Sequence, residues 1–387
     1  MFKIKTFNNI SEKGLNRLPS SNYDIDPDHE SPEAIILRSH KLHDYPIPES
    51  LLAVGRAGAG TNNVPVAKMS QRGIPVFNAP GANANAVKEL VIAGMLLACR
   101  NICQAWDYAR HVDGTPEQQN KAVEDGKKRY VGYELPGRTL GVVGLGAIGV
   151  YVANAAVALG MRVVGFDPTI TVRSAWKMSA EVQEMPSIDE LVKQSDFVTF
   201  HVPLLESTKH LLNAQRIASM KKGATVLNFA RDGIVDDAAV LKALDDGWLH
   251  AYVSDFPAEN LKGHERVITL PHLGASTVEA EENCAIMVAD QIRDFLENGN
   301  IHNSVNFPEL RLARIGDVRL TIANQNRPDM VGQISHVLGQ AGVNIQHMSN
   351  ESRGELAYNL MDLDKAIDRD TLTAIKAIDG VLSTRQI

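Results

Sequence analysis

The chain has 387 residues and a formal net charge of −7, with 22% charged and 5% aromatic residues. At about 100–200 residues per domain, that length implies two or three domains, each able to bury a core. A modestly acidic chain with no dense Lys/Arg run and few aromatics gives no reason to expect a nucleic-acid partner. Three cysteines (Cys99, Cys103 and Cys284) form neither a disulfide framework nor a C-x-x-C metal or redox motif. The longest apolar stretch, Leu90–Cys99, falls well short of the ~20 residues that cross a bilayer. The N-terminus MFKIKTFNNI lacks the apolar region of a signal peptide, so a cytoplasmic protein without metal or membrane partner is expected.

In chain order, short apolar runs at Phe2–Phe7, Ala34–Arg38, Leu51–Arg56 and Pro75–Asn78 read as strands, followed by a buried helix over Val87–Cys99. From Leu140 a strand-then-helix beat repeats six times: LGVV (140–143), RVVGF (162–166), DFVTF (196–200), ATVLNF (224–229), AYVS (251–254) and RVITL (266–270). Such nearly continuous Val/Ile/Leu/Phe runs suit parallel strands covered on both faces. With helical stretches such as Ile188–Lys193 and Asp237–Asp246 between them, they predict a doubly wound Rossmann sheet. A helix over Cys284–Asn298, with Gly299 as C-cap, then leads to residue 316. The remaining pattern reads βαββαβ, with strands at 317–323, 344–349, 355–361 and 381–386 and helices at 330–341 and 369–378, a ferredoxin-like order. The domains implied are 1–98, 99–283, a return segment 284–310, and 316–387.

Gly144, Gly146 and Gly149 form G-x-G-x-x-G directly after LGVV and before a helical run. The first glycine permits a tight turn, the second lets backbone N–H groups reach a pyrophosphate, and the third lets helix and strand approach. The next strand ends at Asp167, where a carboxylate can accept from an adenosine ribose diol and repel a 2′-phosphate, which selects NAD. Three later strand ends carry Arg231 (NFARDG), Glu259 (FPAEN) and His272 (PHLGAST). Oxidising a secondary alcohol beside a carboxylate needs a base for the hydroxyl proton, a carboxylate to orient that base, and a guanidinium fork for the substrate carboxylate. His272, Glu259 and Arg231 are read in those roles. His201 (HVPL) also ends a strand and is read as lining the cofactor crevice, while His40 and His43 carry no metal-ligand pattern.

GLGAIG with Asp167, HVPL, NFARDG, FPAEN and PHLGAST together resemble the D-2-hydroxyacid dehydrogenases. GRAGAGTNNV (55–64), RGIPVFNAPGANANAVKEL (72–90) and a C-terminal ACT-type segment with NQNRP (324–328) extend the resemblance over nearly the whole chain. It implies a flavodoxin-like substrate domain built from both chain ends, and NAD-dependent interconversion of 3-phospho-D-glycerate and 3-phosphohydroxypyruvate, the first step of serine biosynthesis. It maps catalysis onto Arg231, Glu259 and His272. Cofactor contacts fall on Ala147, Ile148, Asp167, Phe229, Ala230 and the strand end Ser254–Asp255, with Gly274 of PHLGAST added. Many relatives carry the carboxamide-contacting Asp where Ser254 stands; here Asp255 comes one residue later.

Phosphate recognition is assigned to Arg38 and Arg56, assisted by Asn83, with the KKR string at Lys127–Arg129 as a further candidate or a solvated surface. The ACT-type segment implies an amino-acid effector, often serine, with regulatory positions at Asn324, Asn326 and Asn344, or else a structural dimerisation module. Asn324 stands where serine-inhibited relatives have His, and Asp329 where Gly is usual. A homo-oligomer, dimer or tetramer, is expected. Two other readings share the motifs: a dehydrogenase for a different 2-hydroxy acid, and a NAD-binding corepressor or scaffold.

Overall fold

The four N-terminal apolar runs become strands β1 (Phe2–Phe7), β3 (Ala34–Leu37), β4 (Ala53–Arg56) and β5 (Val76–Phe77), and a short additional strand, β2 (Tyr23–Ile25), joins them. They form an all-parallel sheet in the order β2-β1-β3-β4-β5, the flavodoxin-like winding. The computed structural model describes residues 1–387 and resolves two compact units, Met1–Asn83 with Val278–Ile387, and Ala84–Thr277. Helix Val278–Asn298 covers the first sheet, with Val288 and Ile292 lying where a side chain on Gly55 would stand.

In the second unit, β6 (Thr139–Val143), β7 (Arg162–Phe166), β8 (Gln183–Glu184), β9 (Phe197–Phe200), β10 (Ala224–Asn228), β11 (Leu249–Ser254) and β12 (Val267–Thr269) form a parallel sheet ordered β12-β11-β10-β9-β6-β7-β8. The first strand sits inside the sheet, with later strands wound out to both sides, as in dinucleotide-binding folds. All six expected strands are present; the two-residue β8, the amphipathic helix Ile102–Arg110 and the polar helix Pro116–Gly126 are additional. The last of these starts on a capping box between Thr115 and Gln118 with Pro116 in its first turn, a local signal independent of any apolar face.

Two expected boundaries move. The helix Ala84–Cys99, placed by the sequence reading at the end of a 1–98 domain, belongs to the second unit. Its Val87, Val91, Met95 and Ala98 share a core with Leu140, Val142 and Val253, and Gly94 lets it approach Phe229. Likewise the long helix begins at Val278, and its buried face, including Cys284, Ala285 and Val288, joins the core of the first unit.

The C-terminal segment forms β13 (Val318–Gln325), β14 (Ile345–Arg353), β15 (Leu356–Leu363) and β16 (Val381–Gln386), antiparallel in the order β14-β15-β13-β16. With helices Met330–Gln340 and Arg369–Lys376 this is the expected ferredoxin-like arrangement. One sheet face packs on its own helices through Leu320, Ile322, Met361, Ile334 and Ile375. The other face, through Ala323, Tyr358 and Leu360, shares a core with Phe295, Leu296 and Phe307. That shared core is why this segment falls in the same unit as β1–β5 rather than forming a third.

Polar contacts reinforce the junction. Arg319 is fully buried and donates to both carboxylate oxygens of Asp362, at 2.6 and 2.9 Å, and to the carbonyls of Asn298 (3.0 Å) and Leu312 (2.9 Å). Tyr358 Oη donates to the Gly299 carbonyl at 2.9 Å, and Arg385 donates to the carbonyls of Phe295 and Leu296. The sheet thus satisfies the open carbonyls at the end of helix Val278–Asn298 and sets two guanidinium charges against its negative pole. Burial pushes the Asp362 carboxyl up, but the Arg319 hydrogen bonds and the Ile315 amide outweigh it and hold it below the usual carboxylate range. No helix is long and apolar enough to cross a membrane.

Removing one partner of a buried ion pair leaves the other charge unpaired. Asp362→Ala is expected to lower unfolding free energy by about 3–5 kcal/mol, and the apolar pair Arg319→Met with Asp362→Leu to cost markedly less. Urea titrations of the three proteins check this; a single variant as stable as the parent would refute the role of the pair.

Candidate active site

Strand β6 runs into the glycine loop and the helix Ala147–Ala158. Gly144 has φ +91°, a conformation that L side chains rarely adopt, and a β-carbon there would press on the His201 carbonyl. A β-carbon on Gly149 would collide with the Gly144 carbonyl, so strand and helix meet as closely as the motif requires. Beside Gly146 there is open space, at the N-terminus of a twelve-residue helix whose first residues are Ala147 and Ile148. Asp167 follows β7; its Oδ2 accepts from the Leu145 amide at 2.8 Å and its Oδ1 from the Thr169 amide (2.9 Å) and hydroxyl (3.2 Å). An ionised carboxylate offers about four acceptor sites, so one is left for a ribose hydroxyl. Open space at the helix N-terminus and an acceptor beyond the second strand fit a dinucleotide.

At the end of β9, His201 Nε2 lies 3.0 Å from Thr199 Oγ1, and its Nδ1 is buried without a hydrogen-bond partner. Burial pushes this imidazole down to about 3, so it is neutral near pH 7 and is no source or store of protons there. Its backbone carbonyl lies against Gly144, and its Nδ1 remains a polar group with no partner in the protein.

Arg231, Glu259 and His272 follow β10, β11 and β12, neighbouring parallel strands whose carboxyl ends share one sheet edge. Asn228, buried at the end of β10, shapes the NFARDG turn: its Oδ1 accepts from the Ala230 amide (3.2 Å) and its Nδ2 donates to the Arg231 carbonyl (3.0 Å). Phe229 and Ala230 are buried beneath this turn, and Arg231 is exposed with only Nη1 engaged, on the Ala230 carbonyl at 2.6 Å. Glu259 opens a 3₁₀ turn, Glu259–Leu261. His272 packs edge-on against Phe256, ring centres 5.1 Å apart. Glu259 and His272 are both exposed, and the expected pairing between them is not formed; catalytic hydrogen bonds commonly tighten only around bound substrate.

Asp255, read from sequence as a cofactor contact, has its side chain engaged elsewhere. It is 1% exposed, and its carboxylate oxygens accept from the amides of Leu273 and Gly274, each at 2.8 Å. Ser254 is buried, its hydroxyl accepting from the Phe256 amide at 3.1 Å. Sequence reasoning passed over Asn228 and Thr199; the available signal was a short polar residue closing an otherwise apolar strand.

The first unit carries the other assigned residues. Arg38 is ion-paired with Glu281 at 2.6 Å, and its loop is clamped by Asn8, whose Oδ1 accepts from the amides of Ser39 (3.0 Å) and His40 (2.8 Å). Arg56 ends β4, and the missing side chain at Gly58 makes room for its guanidinium. Asn83 Oδ1 is buried with no hydrogen-bond partner. His40 stacks on Phe7 at 4.1 Å, a packing role.

In the second unit, Lys127 pairs with Glu124 and Arg129 lies over the Tyr108 ring at 4.5 Å, on the helical surface rather than at the strand ends. The three regulatory candidates are not brought together within one chain. Asn324 is buried, accepting from Asn359 Nδ2 at 2.7 Å, and Asn326 is exposed beside it. Asn344 precedes the Ile345↔Leu363 end of the sheet, opposite the Asn324↔Ala357 end. Asp329 adopts φ +65°, the conformation for which a glycine is suited.

Because the folded-state His201 imidazole titrates near 3 against an ordinary 6.5, the unfolded chain binds this proton first as pH falls. Its contribution is complete above pH 6.5 and is lost progressively toward pH 3. His201→Gln is expected to flatten the acid side of the stability–pH curve in that window. Thermal unfolding from pH 7 to 4 measures it, and parallel curves for parent and variant would contradict it.

The model of the family "D-isomer specific 2-hydroxyacid dehydrogenase, NAD binding domain" matches residues 92–274. A D-3-phosphoglycerate dehydrogenase of Haemophilus influenzae is 35% identical over 350 residues, covering 87% of this chain and 81% of that one. Its counterpart in Methanocaldococcus jannaschii is 38% identical over 325 residues, covering 82% of this chain and 58% of that longer protein. Among solved structures, the TT0316 protein of Thermus thermophilus superposes with a TM-score of 0.64 at 26% identity, over 78% of this chain and 99% of that one. The chain thus belongs to the D-isomer-specific 2-hydroxyacid dehydrogenase family: an NAD-dependent dehydrogenase similar to the D-3-phosphoglycerate dehydrogenases.

Proposed function

We propose that the chain oxidises 3-phospho-D-glycerate to 3-phosphohydroxypyruvate with NAD, opening a route to serine. The observation that carries the reading is the clustering of Arg231, Glu259 and His272 behind three adjacent parallel strands, on the same sheet as the glycine loop and Asp167. When bound, NAD supplies the acceptor for the hydride leaving carbon 2. The protein's residues do the rest. The exposed guanidinium of Arg231 grips the substrate carboxylate in a two-pronged hydrogen bond and fixes the orientation of carbon 2. His272 takes the hydroxyl proton, a role closed to His201, whose imidazole burial makes too weak a base, pushed down to about 3. Glu259 orients His272 and balances the charge it gains. The glycine loop and the N-terminus of helix Ala147–Ala158 hold the pyrophosphate, and Asp167 the ribose.

The phosphate is assigned to Arg38, which pairs with Glu281, and Arg56, with Asn83 assisting. The ferredoxin-like segment is read as an ACT-type regulatory module. Ile102, Trp106 and Tyr151, exposed apolar residues of the second unit, are read as surface that a second copy covers in a homo-oligomer.

His272→Asn is expected to lower kcat by about 10²–10⁴-fold while leaving NAD affinity nearly intact. NADH absorbance with phosphoglycerate, lactate and glycerate tests the assignment; a wild-type preference for a non-phosphorylated acid, or a fully active variant, contradicts it. Arg56→Ala should raise KM for phosphoglycerate with a smaller effect on kcat. An equal loss on non-phosphorylated hydroxy acids would remove Arg56 from the phosphate site.

A further inference from the structure

We propose that Asp255 is the positioning residue that holds the His272 loop in its working conformation, acting through the backbone rather than on the cofactor. The proposal rests on the reading of His272 as the acid/base.

The strands β11 and β12 pair up to Ser254↔Thr269. Beyond that register the ladder continues for one more bond, from the Leu270 amide to the Ser254 carbonyl at 2.9 Å, and then meets Pro271, which has no N–H to donate. From there Asp255 takes over. Its carbonyl accepts from the His272 amide at 3.1 Å, and its two carboxylate oxygens accept from the amides of Leu273 and Gly274 at 2.8 Å each. Its own amide donates to the Asn228 carbonyl at 3.1 Å, which ties the assembly to the turn that carries Arg231. Three consecutive amides of the histidine loop therefore end on one residue that is 1% exposed.

The loop needs such an anchor. His272 has φ +56°, a left-handed backbone conformation that a residue with a β-carbon adopts only when its surroundings impose it. Successive amides turned inward by such a kink form a concavity for an anion, and the Asp255 carboxylate fills it. A carboxylate is the side chain that fits two convergent donors. An asparagine would offer one oxygen and set an NH₂ against the second amide. The aromatic ring of Phe256, the next residue, packs edge-on against the imidazole, so backbone and ring are fixed from the same segment.

The test is a double-mutant cycle in the full-length enzyme, with Asp255→Asn made alone and on a His272→Asn background. NAD binding is followed by calorimetry and folding by circular dichroism. Misplacing a reacting group by about 1 Å can cost on the order of 10²-fold. The single variant is therefore expected to lose about 100-fold in kcat with KM and NAD affinity little changed. On the His272→Asn background it should lose almost nothing further, because Asp255 acts only through that residue. The same loss on both backgrounds, or a loss confined to NAD affinity, overturns the proposal, the latter pointing to a direct cofactor contact. Should Asp255→Asn fail to fold, amide exchange in the wild-type protein decides the anchoring: the Leu273 and Gly274 amides should exchange slowly, and free exchange there overturns it. A wild-type enzyme that reduces no NAD with any 2-hydroxy acid overturns the catalytic reading, and this inference with it. An active wild type with an additive cycle overturns this inference alone.

Discussion

Beyond the carboxyl end of a parallel strand the hydrogen-bond ladder stops, and the backbone groups of the following loop need other partners. The nucleotide-binding unit meets that constraint with one short polar side chain at or just past a strand end. Asp167 after β7 takes the amides of Leu145 and Thr169. Asn228 in β10 takes Ala230 and Arg231, and Asp255 after β11 takes Leu273 and Gly274, while Thr199 in β9 meets only the His201 side chain. Asp167, Asn228 and Asp255 each hold backbone groups of the loop beyond a strand end, and the side chains proposed to react, Arg231 and His272, project from turns anchored this way.

The first unit solves a different problem. A four-stranded sheet with helices on one side leaves its second face uncovered. Here that face shares a core with the end of helix Val278–Asn298, and Arg319, Arg385 and Tyr358 take the helix's last carbonyls. The buried Arg319–Asp362 pair is compensated on nearly every donor and acceptor, the condition under which a buried ion pair is tolerated. The same helix carries Glu281, the partner of Arg38, near its other end.

Much of this was legible in the residues. The glycine motif, Asp167 and the three polar strand ends stood out because apolar, nearly continuous strands make any charged residue at their ends conspicuous. Less visible were β2 and β8, only three and two residues long, and helix Pro116–Gly126, which carries few apolar residues and whose signal is its capping box; helix Ile102–Arg110 has apolar residues along one face but no side-chain cap. Asp255, one residue from a position read as a cofactor contact, has its carboxylate on backbone amides in the structure. Which way a side chain faces past a strand end depends on the neighbouring loop, and the amides of Leu273 and Gly274 claim it.

The residues alone carry the parallel-sheet architecture and the dinucleotide motif, since these depend on local period and on glycine at fixed spacing, and residue chemistry supplies the side chains proposed to react. The fold alone sets where one unit ends and the next begins, why the ferredoxin-like sheet is fused to the first unit, and that burial keeps His201 neutral while His272 stands exposed. Those properties arise from burial and from hydrogen bonds between segments distant in the chain. They include contacts such as Arg319 with Asn298 or Asp255 with Gly274, which no local pattern encodes.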